Sequence, residues 1–259
     1  MTARTLGEWL DEGPFTLGLS SGFFGFFAHA GVLAALEGQG LRPSALTGSS
    51  AGALVAGCWA AGLDAHALTA RLASLRTEEF WDPAPGFGLR ELGLVRVGKF
   101  AATLGALIGE ARFATTRAPL AISTYDVGAR RTFVLHQGPL VPAIVASCSV
   151  PLLFQPVRHA GRLLSDGGIA DRPGLAGVSP GVRVLHHHLA SRSPWRRPGD
   201  PALAPPARPN LVALVLRDLP RSGPHRLEAG VRAMALAHEA AKAALDAPFG
   251  PLVERRVPT

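Results

Sequence analysis

The sequence predicts an α/β fold, because segments with helical patterns alternate along the chain with short apolar runs typical of buried strands. Apolar residues make up 47% of the 259 residues and charged residues only 17%, which argues against a disordered chain. This length is within the range of one α/β domain, so we expect a single domain over residues 1–259. The spacing of the two cysteines, Cys58 and Cys148, excludes a disulfide framework and a zinc ribbon.

The first half of the chain predicts two strands that are each followed by a helix. A short apolar run at 15–19 precedes a helix over 28–37, which is expected to end near Gly38. A second strand at 44–47 precedes a helix over 51–61, whose small residues indicate packing on every side. Further helices are predicted from the N-cap residue Asp64 to about residue 77, and over 97–108.

The second half predicts more strands and ends in a long helix. Strand pairs are expected at 120–125 with 131–136 and at 154–158 with 162–165, followed by strands at 182–189 and 211–216. Helices are predicted at 141–148 and 225–245. The segment 191–209 holds six prolines and four arginines among 19 residues, which predicts a loop.

An uncharged stretch at 13–36 is long enough, at 24 residues, to span a bilayer. Two observations argue against a membrane span or a signal peptide. The residues before the stretch are mainly acidic, and Ser20, Ser21, Gly22 and Gly25 interrupt it. We therefore expect a strand, a loop and a helix here, and a cytoplasmic protein.

The sequence Gly48-Ser49-Ser50-Ala51-Gly52 matches the pattern G-x-S-x-G of a nucleophile elbow. In such an elbow a strand turns sharply into a helix, and the central serine exposes its hydroxyl at the turn. Gly48 and Gly52 are expected because a side chain at either position would collide with neighbouring backbone. Only 49 residues precede Ser50, too few for the several strands that come before the elbow of an α/β-hydrolase.

The sequence resembles the patatin-like phospholipase family in three blocks that occur in family order. The third block is similar to the family pattern A-S-x-x-x-P…F-x-P-V…D-G-G and is the most specific. The blocks are 17–20 with Ala28-His29-Ala30-Gly31, the 48–52 elbow, and Ala146-Ser147-Cys148-Ser149-Val150-Pro151 with Phe154-Gln155-Pro156-Val157 and Asp166-Gly167-Gly168.

This resemblance implies a three-layer αβα fold with a mostly parallel central sheet. It also implies a catalytic Ser–Asp dyad without histidine, in which Ser50 is the nucleophile and Asp166 the base. Gly167 and Gly168 would let the chain turn away without crowding the site. The implied activity is hydrolysis of lipid acyl esters, of phospholipase A, lysophospholipase or carboxylesterase type. It needs no metal and no organic cofactor.

The loop before the Ala28 block departs from the family pattern G-G-G-x-R-G, since this chain has Ser21-Gly22-Phe23-Phe24-Gly25-Phe26. By the resemblance, the backbone N–H groups of Gly22, Phe23 and Phe24 would form the oxyanion hole. Phenylalanine can donate such a bond as well as glycine, but a position with positive φ would be strained. We expect these N–H groups to lie outside any helix, and the phenylalanine rings to point away from Ser50.

The formal charge is +7, and 24 of the 26 basic residues are arginine. This excess of positive charge predicts peripheral contact with anionic membranes. No basic run and no alternation of arginine with aromatic residues occurs, so no nucleic-acid partner is expected. His186 and His188 lack accompanying metal-ligand residues. Two alternatives stay open: a membrane-binding pseudoenzyme with an altered oxyanion loop, and an arginine-rich phosphate- or nucleic-acid-binding protein.

Overall fold

A computed structural model describes residues 4–83, 94–159, 161–190, 196–197 and 199–257. Nine strands occur within these ranges and form one sheet. The strands are β1 (Thr16–Leu19), β2 (Ala45–Ser49), β3 (Leu120–Asp126), β4 (Arg131–Leu135), β5 (Val157–His159), β6 (Arg162–Asp166), β7 (Val184–Leu189), β8 (Leu211–Arg217) and β9 (Leu252–Arg256).

The strand order is β5-β6-β3-β2-β1-β7-β8-β9, and β4 pairs with the other edge of β3. The six strands from β3 to β9 in this order are parallel to their neighbours, whereas β4, β5 and β6 form antiparallel pairs. The helices are α1 (Leu6–Asp11), α2 (Phe26–Gly38), α3 (Ala51–Ala60), α4 (Ala65–Ala73), α5 (Thr77–Phe80), α6 (Gly98–Ile108), α7 (Leu140–Ser147) and α8 (Leu227–Leu245).

The predicted fold class is confirmed, because helices flank a central, mostly parallel sheet. The two faces of the sheet are covered unequally. A large core on one face includes residues of α2, α3, α7 and α8, and every residue of α3 is buried. A smaller cluster on the other face packs Leu175 and Val178 against Val184, Leu211 and Ala213.

Most predicted elements occur within a few residues of their expected positions. Asp64 caps α4 by accepting a hydrogen bond from the Ala67 N–H at 2.7 Å, but α4 ends at Ala73 and not near residue 77. The Ser74 hydroxyl donates a hydrogen bond to the Arg71 carbonyl, one of the carbonyl groups in the last turn of the helix that have no partner within the helix. The sequence did not predict α1, α5 or β9. Residues 84–93, 191–195 and 198, including part of the predicted loop at 191–209, lie outside the described residues.

The uncharged stretch at 13–36 forms β1, a loop and the first part of α2, as predicted. No helix in the described ranges combines the length and apolar character needed to cross a membrane.

Four buried histidines lie on or beside β7, and His29 of α2 contacts His187 of β7. The His29 Nε2–H donates to the Ser20 carbonyl at 2.8 Å, so in the neutral ring Nδ1 must accept. Its partner, 2.9 Å away, is Nδ1 of His187, which therefore carries the proton. His186 and His188 share the opposite face of β7, as predicted, and no metal-binding group of three side chains occurs among the described residues.

All four imidazoles are held neutral, because burial disfavours the charged form. Burial lowers the pKa of His29 to about 4, of His186 to about 3 and of His188 to about 4, and it lowers the pKa of His187 well below its usual value. In the unfolded chain these rings titrate near pH 6.5. Below that pH the unfolded state binds more protons than the folded state, so stability is lost as the pH falls.

We therefore expect steep acid destabilisation. Near pH 5 the four histidines take up protons on unfolding, while Asp166, whose pKa is raised by burial, releases one. With a net uptake of about three protons, the free energy of unfolding falls by roughly 4 kcal/mol for each unit by which the pH is lowered. Urea unfolding at pH 7.5, 6 and 5 measures this slope. A free energy of unfolding that stays constant from pH 7.5 to 5 would contradict the neutral histidine cluster.

Candidate active site

Ser50 and Asp166 meet because two strands approach each other end to end along β3. Ser49, the last residue of β2, pairs with Ser123 of β3. Asp166, the last residue of β6, pairs with the next residue, Thr124. Strand β4 occupies the other edge of β3 over this stretch, so β2 and β6 share one edge. Since β2 is parallel and β6 antiparallel to β3, their carboxyl ends face each other.

The elbow at Ser50 has the strained backbone that this geometry requires. Ser50 has φ 53° and ψ −118°, a region that residues with a side chain rarely adopt. It is followed directly by α3. A Cβ atom at Gly48 would lie 2.5 Å from the Gly52 carbonyl carbon, and one at Gly52 would collide with the Leu19 carbonyl. Both glycines are thus required by close approach.

The strained elbow is held by a side chain whose role the sequence did not reveal. The Ser50 N–H donates to Ser147 Oγ at 2.9 Å, and the Ser147 hydroxyl donates to the Ser123 carbonyl at 2.7 Å. The Ser50 carbonyl accepts from the Leu54 N–H at 3.1 Å and from the Cys148 thiol at 3.2 Å. The signal that could have found Ser147 is its place in the A-S-x-x-x-P block.

Asp166 is buried and only partly satisfied. Its Oδ1 accepts a hydrogen bond from the Gly168 N–H at 2.8 Å, whereas Oδ2 has no hydrogen-bonding partner among the described residues. Burial raises the pKa of Asp166 to about 6, and the neighbouring Ser50 hydroxyl, the Gly168 N–H and Arg172 oppose that rise. The Ser50 hydroxyl is thus close enough to influence the carboxylate without closing a well-formed hydrogen bond. Such bonds often tighten only when substrate is present.

The turn after Asp166 is tightly packed and firmly anchored. A Cβ atom at Gly167 would lie 2.6 Å from Ser49 Oγ, and one at Gly168 would collide with Ser21 Oγ. Further along, the Asp171 carboxylate accepts a hydrogen bond from the Ser123 hydroxyl at 2.6 Å. It also accepts from three backbone N–H groups, those of residues 174–176. Both sides of the Ser50–Asp166 contact are therefore fixed to β3.

The loop between β1 and α2 presents free donors beside this contact. Within the described part of the chain the N–H groups of Gly22, Phe23 and Phe24 donate no hydrogen bond, and α2 begins only at Phe26. Phe24 has a strained backbone, with a positive φ of 55°, whereas Phe23, at the position of the family's third glycine, does not. Phenylalanine in place of the family's third glycine is thus tolerated. The Phe24 ring packs on the rings of Phe23, Phe26 and Phe80, and its carbonyl accepts from Ser222.

An apolar cavity of about 110 Å³ opens beside Ser50. Phe23 and Phe24 line one side of it. Among the described lining residues Arg71 is the one arginine, and it forms an ion pair with Glu79, so this part of the lining carries no isolated charge. The remaining walls are mostly aliphatic and aromatic and include Ala51, Leu54, Leu72, Leu75, Phe100 and Leu104. The arrangement thus combines a serine at a strained elbow, a carboxylate with a raised pKa, free N–H donors and an apolar cavity.

The solved structures with similar folds include VipD from Legionella pneumophila, at a TM-score of 0.52 and 14% identity, covering 90% of this chain and 67% of that one. The type III effector protein ExoU of Pseudomonas aeruginosa has a TM-score of 0.49 at 15% identity, covering 90% of this chain and 52% of that one. At these identities the likeness to VipD shows a shared fold alone.

Two comparisons at the level of sequence are more specific. Uncharacterised NTE family proteins of Mycobacterium tuberculosis and Mycobacterium bovis are 32% identical over 190 residues, which is 71% of this chain and 52% of theirs. The chain thus spans about half the length of these relatives. The family model for patatin-like phospholipases matches residues 17–177, a range that contains the elbow, the Asp166 turn and the loop between β1 and α2. By this match, the chain belongs to the patatin-like phospholipase family.

Proposed function

We propose that the chain is a serine hydrolase of lipid acyl esters that uses Ser50 and Asp166 as a catalytic dyad. The observation that carries the proposal is the contact between a buried carboxylate and a strained elbow serine that lines an apolar cavity. Phospholipase A, lysophospholipase and carboxylesterase activities all fit this site. We infer a cytoplasmic protein that contacts anionic membranes peripherally.

The reaction needs only groups of the chain, the ester and water. Asp166 accepts the proton of the Ser50 hydroxyl while Oγ attacks the ester carbonyl. The N–H groups at Gly22, Phe23 and Phe24 stabilise the negative charge on the carbonyl oxygen. The departing alkoxide takes the proton from Asp166, leaving an acyl group on Ser50. Water then attacks the acyl group and Asp166 accepts its proton. Asp166 returns that proton to Ser50 Oγ as the bond to the acyl group breaks, which releases the fatty acid and restores the free serine.

A carboxylate is a weak base for a serine hydroxyl, but two features of this site help. The raised pKa of Asp166 brings its basicity closer to neutral pH. An ester releases an alkoxide, which needs less activation than the amine of an amide. The apolar lining of the cavity suits an acyl chain and offers little to a polar substrate.

A pseudoenzyme is the second candidate. Phe24 has a strained backbone, although the family pattern has no glycine at its position, and its ring packs on that of Phe23 and crowds the loop. A fluorophosphonate probe separates the two, since labelling requires both an activated serine and a working oxyanion hole. We expect covalent labelling at Ser50 and hydrolysis within a panel of fluorogenic esters and phospholipids of different chain lengths. Absence of both would reject the proposal in favour of the pseudoenzyme, and slow labelling would locate the defect in the oxyanion loop.

A further inference from the structure

The entrance of the cavity is surrounded by exposed apolar side chains that the internal packing does not explain. We define the mouth face as Phe23, Trp81, Leu94 and Leu152. Phe23 is 56% exposed, Leu94 48% and Leu152 75%, three of the six most exposed large apolar residues in the described ranges. Scattered apolar residues are normal on a protein surface, whereas a cluster at one site indicates an interaction surface.

The members of the mouth face are connected to one another. The Leu94 N–H donates to the Leu152 carbonyl at 3.2 Å, which places these two segments side by side. Leu152 lies two residues before Phe154, a residue of the cavity wall. From Phe154 a chain of ring contacts runs around the entrance through Trp81, Phe80 and Phe24 to Phe23, with centroids 4.8 to 6.4 Å apart.

Among the four residues of the mouth face, Leu152 contributes least to the stability of the folded chain. Its φ of 68° lies in the left-handed region, where a leucine is strained. Its side chain is also the most exposed of the large apolar residues that the structure describes. Both features disfavour leucine at this position in water, so a leucine here indicates a contact outside the folded chain.

We propose that the mouth face docks on a phospholipid bilayer and inserts its leucine and phenylalanine side chains among the acyl chains. The proposal rests on the proposed function, because an acyl chain that leaves the bilayer at this face enters the cavity beside Ser50 without crossing water. Trp81 is half-buried and is the residue type that favours the boundary between lipid and water. Arg96 and Lys99 lie at exposed positions just after Leu94, with Lys99 3.9 Å from the Asp82 carboxylate. The net charge of +7 favours an anionic bilayer.

Vesicle flotation of the full chain tests this proposal, with vesicles of phosphatidylcholine containing about one third phosphatidylglycerol. The variants are Leu94→Asn, Leu152→Asn and the double variant. Asparagine tolerates a left-handed backbone, so the variant at 152 relieves strain while it removes the apolar side chain. Leu252→Asn is the matched control, because Leu252 is 49% exposed on β9, away from the mouth face.

We expect each variant of the mouth face to lower vesicle partitioning about fivefold and the double variant about 25-fold, as burial of only the exposed part of each leucine predicts. Leu252→Asn should partition like the unmodified chain. Unchanged partitioning of the double variant would overturn the proposal, and so would binding that disappears entirely at high salt. A dimer that the double variant dissociates, without loss of vesicle binding, would assign the face to a second copy of the chain and also overturn it.

Hydrolysis of a soluble short-chain ester separates this proposal from the proposed function. None of these leucines lines the cavity, so the variants should hydrolyse the soluble ester at the unmodified rate while losing activity on vesicles. A chain that partitions to vesicles through this face but hydrolyses no ester would retain the docking proposal and reject the hydrolase. Equal loss on the soluble ester and on vesicles would show damage to the site and reject docking as the cause.

Discussion

Replacing Ser50 by alanine is expected to abolish ester hydrolysis, with a loss of roughly 10⁴-fold or more, because no covalent acyl intermediate can form without Oγ. Fluorophosphonate labelling should disappear completely. The backbone at Ser50 stays strained in the variant, since its N–H and carbonyl contacts do not involve the side chain. The measurements are initial rates on the ester panel, intact-protein mass after labelling, and the melting temperature.

The neighbouring serine provides a matched control for this variant. Ser49 is fully buried one residue away, and its hydroxyl has no hydrogen-bonding partner among the described residues. Ser49→Ala should therefore keep both activity and labelling, and removal of an unpaired buried hydroxyl should not lower stability. Hydrolysis by Ser50→Ala at the unmodified rate would remove Ser50 from the mechanism. Equal losses in both variants would indicate that the elbow is damaged by any change.

The elbow could be predicted from sequence because it is a local structure. A glycine pattern between an apolar strand and a small-residue helix defines both the sharp turn and the position of Ser50. The partners of Ser50 are set by the sheet instead. Ser147 reaches the Ser50 N–H only because α7 packs beside β3, and Asp171 is fixed by its contact with Ser123. Contacts between strands that are distant in sequence cannot be predicted from the spacing of residues along the chain.

The fold was predictable where periodicity and apolar runs were strong. Strand β9, with the sequence Leu-Val-Glu-Arg-Arg, lies at the edge of the sheet, where charged residues are accommodated, so no apolar run revealed it. Helix α1 is short, and its capping box of Thr5 and Glu8 is the local signal that could have found it. The pairing of His29 with His187 depends on how α2 packs against β7, which the sequence did not show.

The arginine content also has a structural explanation that the sequence did not provide. Several guanidinium groups pack on aromatic rings, with Arg117 3.7 Å from the centroid of Trp59 and Arg162 4.4 Å from that of Phe133. Arg162 also pairs with Asp126 at 2.5 Å, and Arg172 is buried. These arginines serve the packing of the chain. Their number is therefore weak support for a phosphate- or nucleic-acid-binding protein.

Asp166→Asn is expected to lower kcat/KM by at least about 10²-fold at pH 8, because the variant has no base to accept the Ser50 proton. In the unmodified chain the carboxylate must be ionised to act, and burial raises its pKa to about 6. The rate should thus be constant above pH 7 and fall about tenfold per pH unit below pH 6. The residual rate of the variant should not show this fall at acidic pH, which we call the acidic limb. Rates on a soluble ester from pH 5 to 8.5 measure both effects.

Stability distinguishes a catalytic loss from a structural one, and the sign follows from the same pKa. A carboxyl whose pKa is higher in the folded than in the unfolded state opposes folding once it is ionised. Asp166→Asn should therefore be no less stable at pH 8 than the unmodified chain. Asp126 is the matched control: the Ala129 N–H and Arg162 lower its pKa, so Asp126→Asn should lose stability and keep its rate. If Asp166→Asn instead hydrolyses the ester at the unmodified rate with the same acidic limb, another group is the base and the dyad is wrong.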